Sequence, residues 1–295
     1  MQQDLERVAR NRYGSWISSL LLILAFAGFV ALAIYFAPQY VAGLTGWQLV
    51  AFGLMMALVP AFLWLVFFYL QDRLAPEPKG NVFGVFVLGG LLAAAIGQPV
   101  IERIFQVQDW MYTTWWVQLL TSILVIGFVQ EFLVYASVRY SIYRSRDFDE
   151  RVDGVIYAIA AGLGYATVLN FQYVIQHGGV DVGVGAMTVT INALAQAGFA
   201  GIIGYFLGQA KFETTPRYWL ALGVVLAAVL NGVFFFLEDQ VTLRGLSYTP
   251  LNGVILAGVF AFVILAIVFF LIRRANAETM AIARMQAKPP SQAAA

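Results

Sequence analysis

Residues 46–70 read GWQLVAFGLMMALVPAFLWLVFFYL, a run of 25 residues without one charged side chain. An α-helix rises about 1.5 Å per residue, so the run is long enough to cross a hydrocarbon core of about 30 Å. The interior of a bilayer has no water to pair the backbone, whereas a helix pairs its own backbone groups. The stretch is therefore predicted to be a transmembrane helix.

Apolar runs of similar length recur along the whole chain, which predicts an all-α integral membrane protein, a bundle of about eight transmembrane helices. The predicted spans are Ser15–Ala37, Gly46–Leu70, Asn81–Ile104, Trp116–Val138, Asp153–Ile175, Val184–Gln209, Pro216–Leu237 and Leu251–Ile272.

Composition agrees with this class. Hydrophobic residues make up 61% of the chain and charged residues 11%, with a mean hydropathy of +0.79, which excludes a soluble domain with a wetted surface. A net charge of +1 does not indicate the basic surface that binding to nucleic acid requires. The absence of cysteine excludes disulfides, iron–sulfur clusters and thiolate catalysis.

The basic residues predict the orientation. All 17 Lys and Arg residues except Arg103 and Arg244 fall on one side of the eight-span arrangement, the side of both termini. Lys and Arg are enriched in cytoplasmic loops, so both termini are predicted to be cytoplasmic. The domain plan is a cytoplasmic segment over residues 1–14, a membrane domain over residues 15–272, and a cytoplasmic tail over residues 273–295 that is partly disordered.

Glu131 is the single carboxylate well inside any of the apolar runs. An ionisable group at membrane depth costs at least a few kcal/mol, so it is a functional hypothesis by default. Two roles follow: Glu131 acts as a general base, or it makes a structural hydrogen bond to Asn170, Gln196 or Asn231.

A second chemical feature lies at the cytoplasmic end of the second span, in the stretch FFYLQDRLAPEPK of residues 67–79. Two prolines on either side of an acid hold the chain extended, and the charged side chains can pair locally. The residues of this cytoplasmic turn motif are Asp72, Arg73, Pro76, Glu77, Pro78 and Lys79. On residue chemistry alone the motif is a stiff turn between two spans.

Three blocks of sequence together resemble the PrsW family of bacterial intramembrane proteases, which belongs with the CAAX-processing and bacteriocin-immunity proteases. They are the turn over residues 67–79, the stretch FDERVDGVIY at 148–157 followed by AAGLGYA at 160–166, and GIIGYFLG at 201–208. The resemblance covers residues 67–236 and implies a membrane protease fold.

The same resemblance implies a catalytic set that this chain has largely lost. The family carries a Glu-Glu pair followed by Lys in the fourth span, where this chain has Gln130, Glu131 and Val134. The family's acid before an asparagine corresponds to Leu169, ahead of Asn170. Its two histidine positions correspond to Gln196 and Asn231. The resemblance therefore implies a degenerate active site with Glu131 as the one reactive residue.

A metal site is not predicted, because zinc needs three or more His, Cys or carboxylate ligands. The single histidine, His177, falls in a predicted outer loop beside two glycines. No cofactor is predicted, and a bound lipid or pigment stays open.

Small residues recur every fourth position on the sixth span, at Ala200, Gly204 and Gly208. Such a stripe lets a neighbouring helix approach closely. The neighbour can be a helix of the same chain or the helix of another protein.

These observations favour a PrsW-like protein of the bacterial inner membrane that binds transmembrane helices or serves as a subunit of a larger membrane complex, without proteolysis. The predicted partners are membrane lipids and other transmembrane proteins, and not nucleic acid. One alternative is an active intramembrane peptidase that uses Glu131 on a single-pass protein such as an anti-sigma factor. A further alternative is a transporter or proton pathway, for which one membrane carboxylate is a poor relay.

Overall fold

The computed structural model describes residues 44–71, 77–176, 182–243 and 250–286, together with positions 21, 22, 24–29, 31, 32 and 35. Within these residues the regular structure is entirely helical. The α-helices are α1 (Trp47–Tyr69), α2 (Lys79–Leu92), α3 (Val107–Trp110), α4 (Trp115–Thr121), α5 (Phe128–Ser141), α6 (Arg151–Gln176), α7 (Val182–Phe212), α8 (Trp219–Leu243) and α9 (Pro250–Gln286).

Two of the long helical segments change their winding part of the way along. Helix α2 continues through π-helical turns at Ala93–Gly97 and Val100–Ile104, and a further π-helical segment, Ser122–Gly127, joins α4 to α5. Each wider turn shifts the register of the side chains that follow it, and such turns often lie at functional sites. The segment Ser122–Gly127 ends three residues before Gln130.

Six helical segments in the described part of the chain are long and apolar enough to cross a membrane. They correspond to the second to seventh predicted spans, and the prediction of an all-α integral membrane protein is confirmed. Most of the first predicted span, Ser15–Ala37, lies outside the described residues. The eighth lies within α9, which does not end near Ile272 but continues as a helix to Gln286. The orientation of the termini stays a prediction.

Helices α6 and α7 form the centre of the bundle. In the most apolar window of each, 83% of the α6 residues and 78% of the α7 residues are buried, against 39% in α1. A helix that is buried all round needs small side chains where its neighbours cross it. A Cβ added to Gly164 of α6 would lie 1.9 Å from the carbonyl oxygen of Phe86 in α2, so glycine sets the distance between these two helices.

The predicted small-residue stripe of α7 faces α6. A Cβ on Gly204 would lie 2.2 Å from Gly154 O, and one on Gly208 would lie 2.1 Å from Arg151 O. The Cβ of Ala200 lies 2.5 Å from the position that a Cβ on Gly162 would take. The stripe therefore contacts a helix of the same chain.

The C-terminal helix α9 packs along α7 beyond the predicted membrane boundary. Gln209 Nε2 donates to Glu278 Oε2 over 2.5 Å, and Arg274 Nε donates to Glu278 Oε1 over 2.9 Å. The first part of the predicted tail over residues 273–295 is thus a helix, and the bond from Gln209 to Glu278 joins it to α7.

Candidate functional site: a buried amide and carboxyl centre

Four polar side chains from three helices meet inside the bundle: Gln130 and Glu131 of α5, Gln196 of α7 and Asn231 of α8. We call them the polar centre. Their exposed fractions are 5%, 0%, 6% and 2%, respectively, so all four are buried. A buried polar side chain must find hydrogen-bond partners inside the protein, which makes their arrangement informative.

Close packing of α8 against the π-helical segment Ser122–Gly127 brings Asn231 to the polar centre. A Cβ on Gly127 would lie 2.3 Å from the carbonyl oxygen of Ala228, and one on Gly232 would lie 2.5 Å from Ser122 O. Two glycines, one on each element, thus allow the two backbones to touch. Asn231 is next to Gly232, so this contact places its amide against α5.

The amide of Asn231 links the two neighbouring residues of α5. Its Nδ2 donates to Glu131 Oε1 over 2.7 Å and to Gln130 Oε1 over 2.9 Å. Gln196 Nε2 donates to the same Gln130 oxygen over 3.1 Å and to Asn231 Oδ1 over 3.4 Å. Hydrogen bonds of this kind between membrane helices contribute roughly 0.5–2 kcal/mol each. The network therefore ties α5, α7 and α8 together at one point.

Only one member of the polar centre can gain or lose a proton. The three amides donate and accept hydrogen bonds but do not titrate, whereas Glu131 is a carboxyl group. Its Oε1 accepts from Asn231, and within the described residues its Oε2 has no hydrogen-bond partner. The arrangement supplies one carboxyl group with one oxygen free for a further partner.

Three other predicted positions lie outside this network. Val134 is fully buried and apolar, and Leu169 is half-buried. Asn170 is buried and donates from Nδ2 to Val189 O over 2.8 Å, which joins α6 to α7. Of the three hydrogen-bond partners proposed for Glu131 from the sequence, the structure brings Asn231 to it directly and Gln196 to its neighbours.

The cytoplasmic turn motif is described only from Glu77 onward, and Asp72, Arg73 and Pro76 lie outside the described residues. Glu77 is 3% exposed. Its Oε2 accepts a hydrogen bond from Tyr157 Oη, and its backbone oxygen accepts one from Tyr69 Oη over 2.9 Å. The expectation that Glu77 pairs locally within the turn was therefore incomplete, because α2 packs on α6 and brings the carboxylate to Tyr157. Pro78 and Lys79 lie at the start of α2.

The connection between α5 and α6 is anchored beside this motif. Asp153 Oδ2 accepts the backbone N–H groups of Asp149 and Glu150 over 2.7 and 2.6 Å, which caps the start of α6. Lys211 Nζ donates to three backbone carbonyls of the connection. Burial, together with the charges of Asp153 and Asp149, raises the pKa of Glu150 to about 7.

Sequence reasoning missed two tyrosines of α6. Tyr157, the partner of Glu77, ends the quoted FDERVDGVIY stretch, so its place in the motif was a usable signal. Tyr165 is fully buried, and its hydroxyl oxygen lies 2.1 Å from the position that a Cβ on Gly97 would take. Tyr165 was less clearly indicated by the sequence, because it is one tyrosine among the small residues of AAGLGYA at 160–166.

A family model described as PrsW family intramembrane metalloprotease matches residues 77–272. That description implies a metal, whose binding would require a suitable set of ligands in the polar centre. Zinc sites require at least three His, Cys or carboxylate ligands. The polar centre has one carboxylate and three amides, and within the described residues there is no group of three such ligands that could hold a metal ion. The residues of this site do not fit a bound metal.

Curated relatives agree with the family match. The chain is 31% identical over 183 residues to Protease PrsW of Bacillus subtilis (strain 168), covering 61% of this chain and 79% of that protein. It is 30% identical over 179 residues to Protease PrsW of Halalkalibacterium halodurans, covering 60% and 79%. It is 26% identical over 225 residues to Protease PrsW of Oceanobacillus iheyensis, covering 76% and 95%. No solved structure matched significantly. The resemblance predicted from the sequence is confirmed, and the chain belongs to the PrsW family of intramembrane proteases.

Proposed function

We propose that this chain is a PrsW-family protein of the bacterial plasma membrane that binds the transmembrane helix of another membrane protein without hydrolysing it. The observation that carries the proposal is the composition of the polar centre, where three of four positions are amides bonded to one another and to Glu131. The proposed partners are single-pass membrane proteins, or the subunits of a larger membrane assembly, in addition to lipids.

The chemistry of peptide hydrolysis supports this choice. A water molecule must be deprotonated, the developing oxyanion must be stabilised, and the leaving amine must receive a proton. General acid–base groups contribute roughly 10²- to 10⁴-fold each, and one oxyanion donor roughly 10²- to 10³-fold. Side-chain amides do not act as general acids or bases at neutral pH, so Glu131 would have to serve as base and acid without an imidazole.

The amides suit a structural role better. Asn231 Nδ2 and Gln196 Nε2 each make two hydrogen bonds, and every acceptor they use belongs to the polar centre. An amide network of this kind fixes the relative positions of three helices in a solvent of low polarity. A bundle held in this way can present a constant surface to another helix.

A second candidate function is proteolysis with Glu131 as general base. It is favoured by the unpartnered Oε2 of Glu131 within the described residues, and by the relatives, which are named proteases. In this case a single-pass protein such as an anti-sigma factor would be the substrate, by analogy with the family.

The deciding experiment compares wild-type protein with Glu131→Gln, each purified gently from native membranes and analysed with its partners by mass spectrometry. Glu102→Gln is the matched control, because Glu102 is an exposed carboxylate outside the polar centre. We expect the same single-pass partners, intact and in constant proportion, in all three samples. A membrane protein that accumulates uncleaved only with Glu131→Gln would establish proteolysis and refute the binding role.

A further inference from the structure

The connection that follows the α2 segment inserts two apolar side chains into the bundle. It covers residues 107–113, contains α3 and leads to α4. Val107 and Met111 are only 1% and 2% exposed, although they belong to a connection between membrane helices. Trp110 and Tyr112 of the same connection are 38% and 52% exposed. The connection therefore has one buried face and one exposed face, and we call it the plug.

The buried face of the plug packs onto the helical segments that hold the polar centre. Its apolar cluster consists of Ile101, Val107, Met111 and Ile126, with Val125, Val129 and Phe235 packed against it. Val129 directly precedes Gln130 in α5. Phe235 follows Asn231 by four residues in α8, which is one helical turn or about 6 Å. The plug therefore covers the end of the bundle directly beyond the polar centre, which is the end predicted to face outward.

The plug begins at a residue with an unfavourable backbone conformation. Gln106 has a φ of 47° and a ψ of 47°, and no other non-glycine residue in the described part of the chain has a positive φ. The left-handed region is disfavoured for residues that carry a Cβ, so the contacts of the plug must hold Gln106 there. At the other end Thr114 is extended, and its Oγ1 accepts the N–H of Val117 to cap α4. The backbone thus leaves the helical conformation at both ends of the plug, which gives two positions about which it can pivot.

We propose that the plug is a gate that closes this end of the bundle. In the structure the gate is closed, with Val107 and Met111 packed against the neighbouring helices and Gln106 held in its strained conformation. The gate opens when the plug swings outward about Gln106 and Thr114. Relaxation of the Gln106 backbone then offsets part of the apolar contact that is lost, so the plug is poised to open. The gate goes beyond the proposed helix-binding role, because it controls access to the polar centre whatever that centre does.

Thiol modification tests the gate in the full-length protein, because the chain has no cysteine of its own. Ile126→Cys places one thiol beneath the plug, and the rate of its reaction with a water-soluble maleimide is measured in detergent. We expect an added Met111→Ala to raise this rate at least about tenfold, because truncation of a buried methionine weakens its packing by at least that factor in an equilibrium constant. Tyr112→Ala is the matched control on the exposed face of the plug and should leave the rate unchanged. Equal rates with Met111→Ala and Tyr112→Ala overturn the proposal.

Substitutions at Gln106 test the pivot, because Gln106 is exposed and contributes nothing to the buried cluster. Valine is β-branched and strongly disfavours the left-handed region, whereas asparagine tolerates it. We therefore expect Gln106→Val to raise the rate of modification at Ile126→Cys and Gln106→Asn to lower it. The same rate in both variants overturns the gate, since a fixed plug would not respond to the backbone preference at this position.

A second thiol separates opening of the plug from unfolding of the protein. Val174→Cys lies in α6, fully buried in a different apolar cluster, and its thiol should stay unreactive beside every plug variant. If Met111→Ala makes that thiol reactive, the smaller truncation Val107→Ala replaces it and must raise the rate at Ile126→Cys. Met111→Leu conserves the volume of the side chain and should keep the slow rate of the wild type. None of these rates depends on cleavage or on a bound partner, so the gate and the proposed function can fail separately.

Discussion

The crossing of α6 and α7 makes a sharp prediction for Gly204→Ala. The added Cβ would lie 2.2 Å from Gly154 O and 2.6 Å from the Cα of Val155. Both are backbone atoms, so no side-chain rotation can relieve the overlap. The relation is reciprocal, since a Cβ on Gly154 would lie 2.3 Å from Gly204 O. The helices would have to separate by about 1 Å to restore normal contact distances.

The expected cost follows from two opposing terms. Overpacking a close contact costs about 1–3 kcal/mol, whereas alanine favours the helix over glycine by up to about 1 kcal/mol. The net loss is about 1–2 kcal/mol, which lowers the Tm by about 2–3 °C for a protein of 295 residues. Gln196 lies on the same helix, so separation of α7 should also lengthen its bond to Gln130.

Thermal unfolding of the purified protein in one detergent measures this effect. Gly84→Ala is the matched control, because Gly84 is also inside a helix and its Cβ would meet nothing within 4 Å. We expect Gly84→Ala to leave the Tm unchanged or slightly raised. Equal Tm values for Gly204→Ala and Gly84→Ala would refute the argument that the glycines of α7 set the spacing from α6.

Three further predictions test other parts of the structure. Asn231→Ala removes the donor to buried Glu131 Oε1 and one of the two donors to Gln130 Oε1, and it should lower the stability by about 1–3 kcal/mol in thermal unfolding; an unchanged Tm would contradict the network. Lys211→Met should speed tryptic cleavage at Arg144 and Arg146, because the ammonium no longer holds the α5–α6 connection; an unchanged rate would show that the connection needs no such anchor. The pKa of Glu150 is raised from 4.5 to about 7, so between these pH values the folded state binds more protons at this group than the unfolded state. The contribution of Glu150 to stability is therefore fully present below pH 4.5 and is lost as the pH rises through about 7. Glu150→Gln should therefore show a smaller fall in Tm than the wild type between about pH 5 and pH 8.

Much of the membrane architecture could be predicted because it depends on local composition. A run such as residues 46–70 has one viable structure in lipid, whatever its neighbours are. The predicted span matched α1 closely for this reason. What a helix meets after it leaves the bilayer decides how far it continues, so α9 extends to Gln286, and the end of the eighth span at Ile272 stays a prediction. Helix α9 continues because Glu278 finds partners on α7 and in its own preceding turn.

For the candidate site, the sequence could predict the residues but not the contacts between them. Gln130, Glu131, Gln196 and Asn231 could be selected from motif positions and from their polarity within apolar runs, but their hydrogen bonds could not. Asn170 is also a polar residue at a motif position within an apolar run, but it bonds to the backbone of Val189 and not to the polar centre. Tyr165 was missed because an aromatic side chain in an apolar helix is ordinary until the position of its hydroxyl is known.

The sequence alone was enough to identify a multi-span helical membrane protein of the PrsW family, and it singled out Glu131 as a carboxylate inside a predicted span. These properties follow from local hydrophobicity and from the order of residues along the chain. The tertiary structure alone decided which polar groups meet: Asn231 with Glu131, and Glu77 with Tyr157. Such contacts join residues far apart in the chain, and they depend on helix rotation and on backbone spacing that glycines set at the crossings. Hydrogen bonds form only when donor and acceptor lie within about 3.5 Å, so shifts too small to change the hydrophobic pattern decide the network.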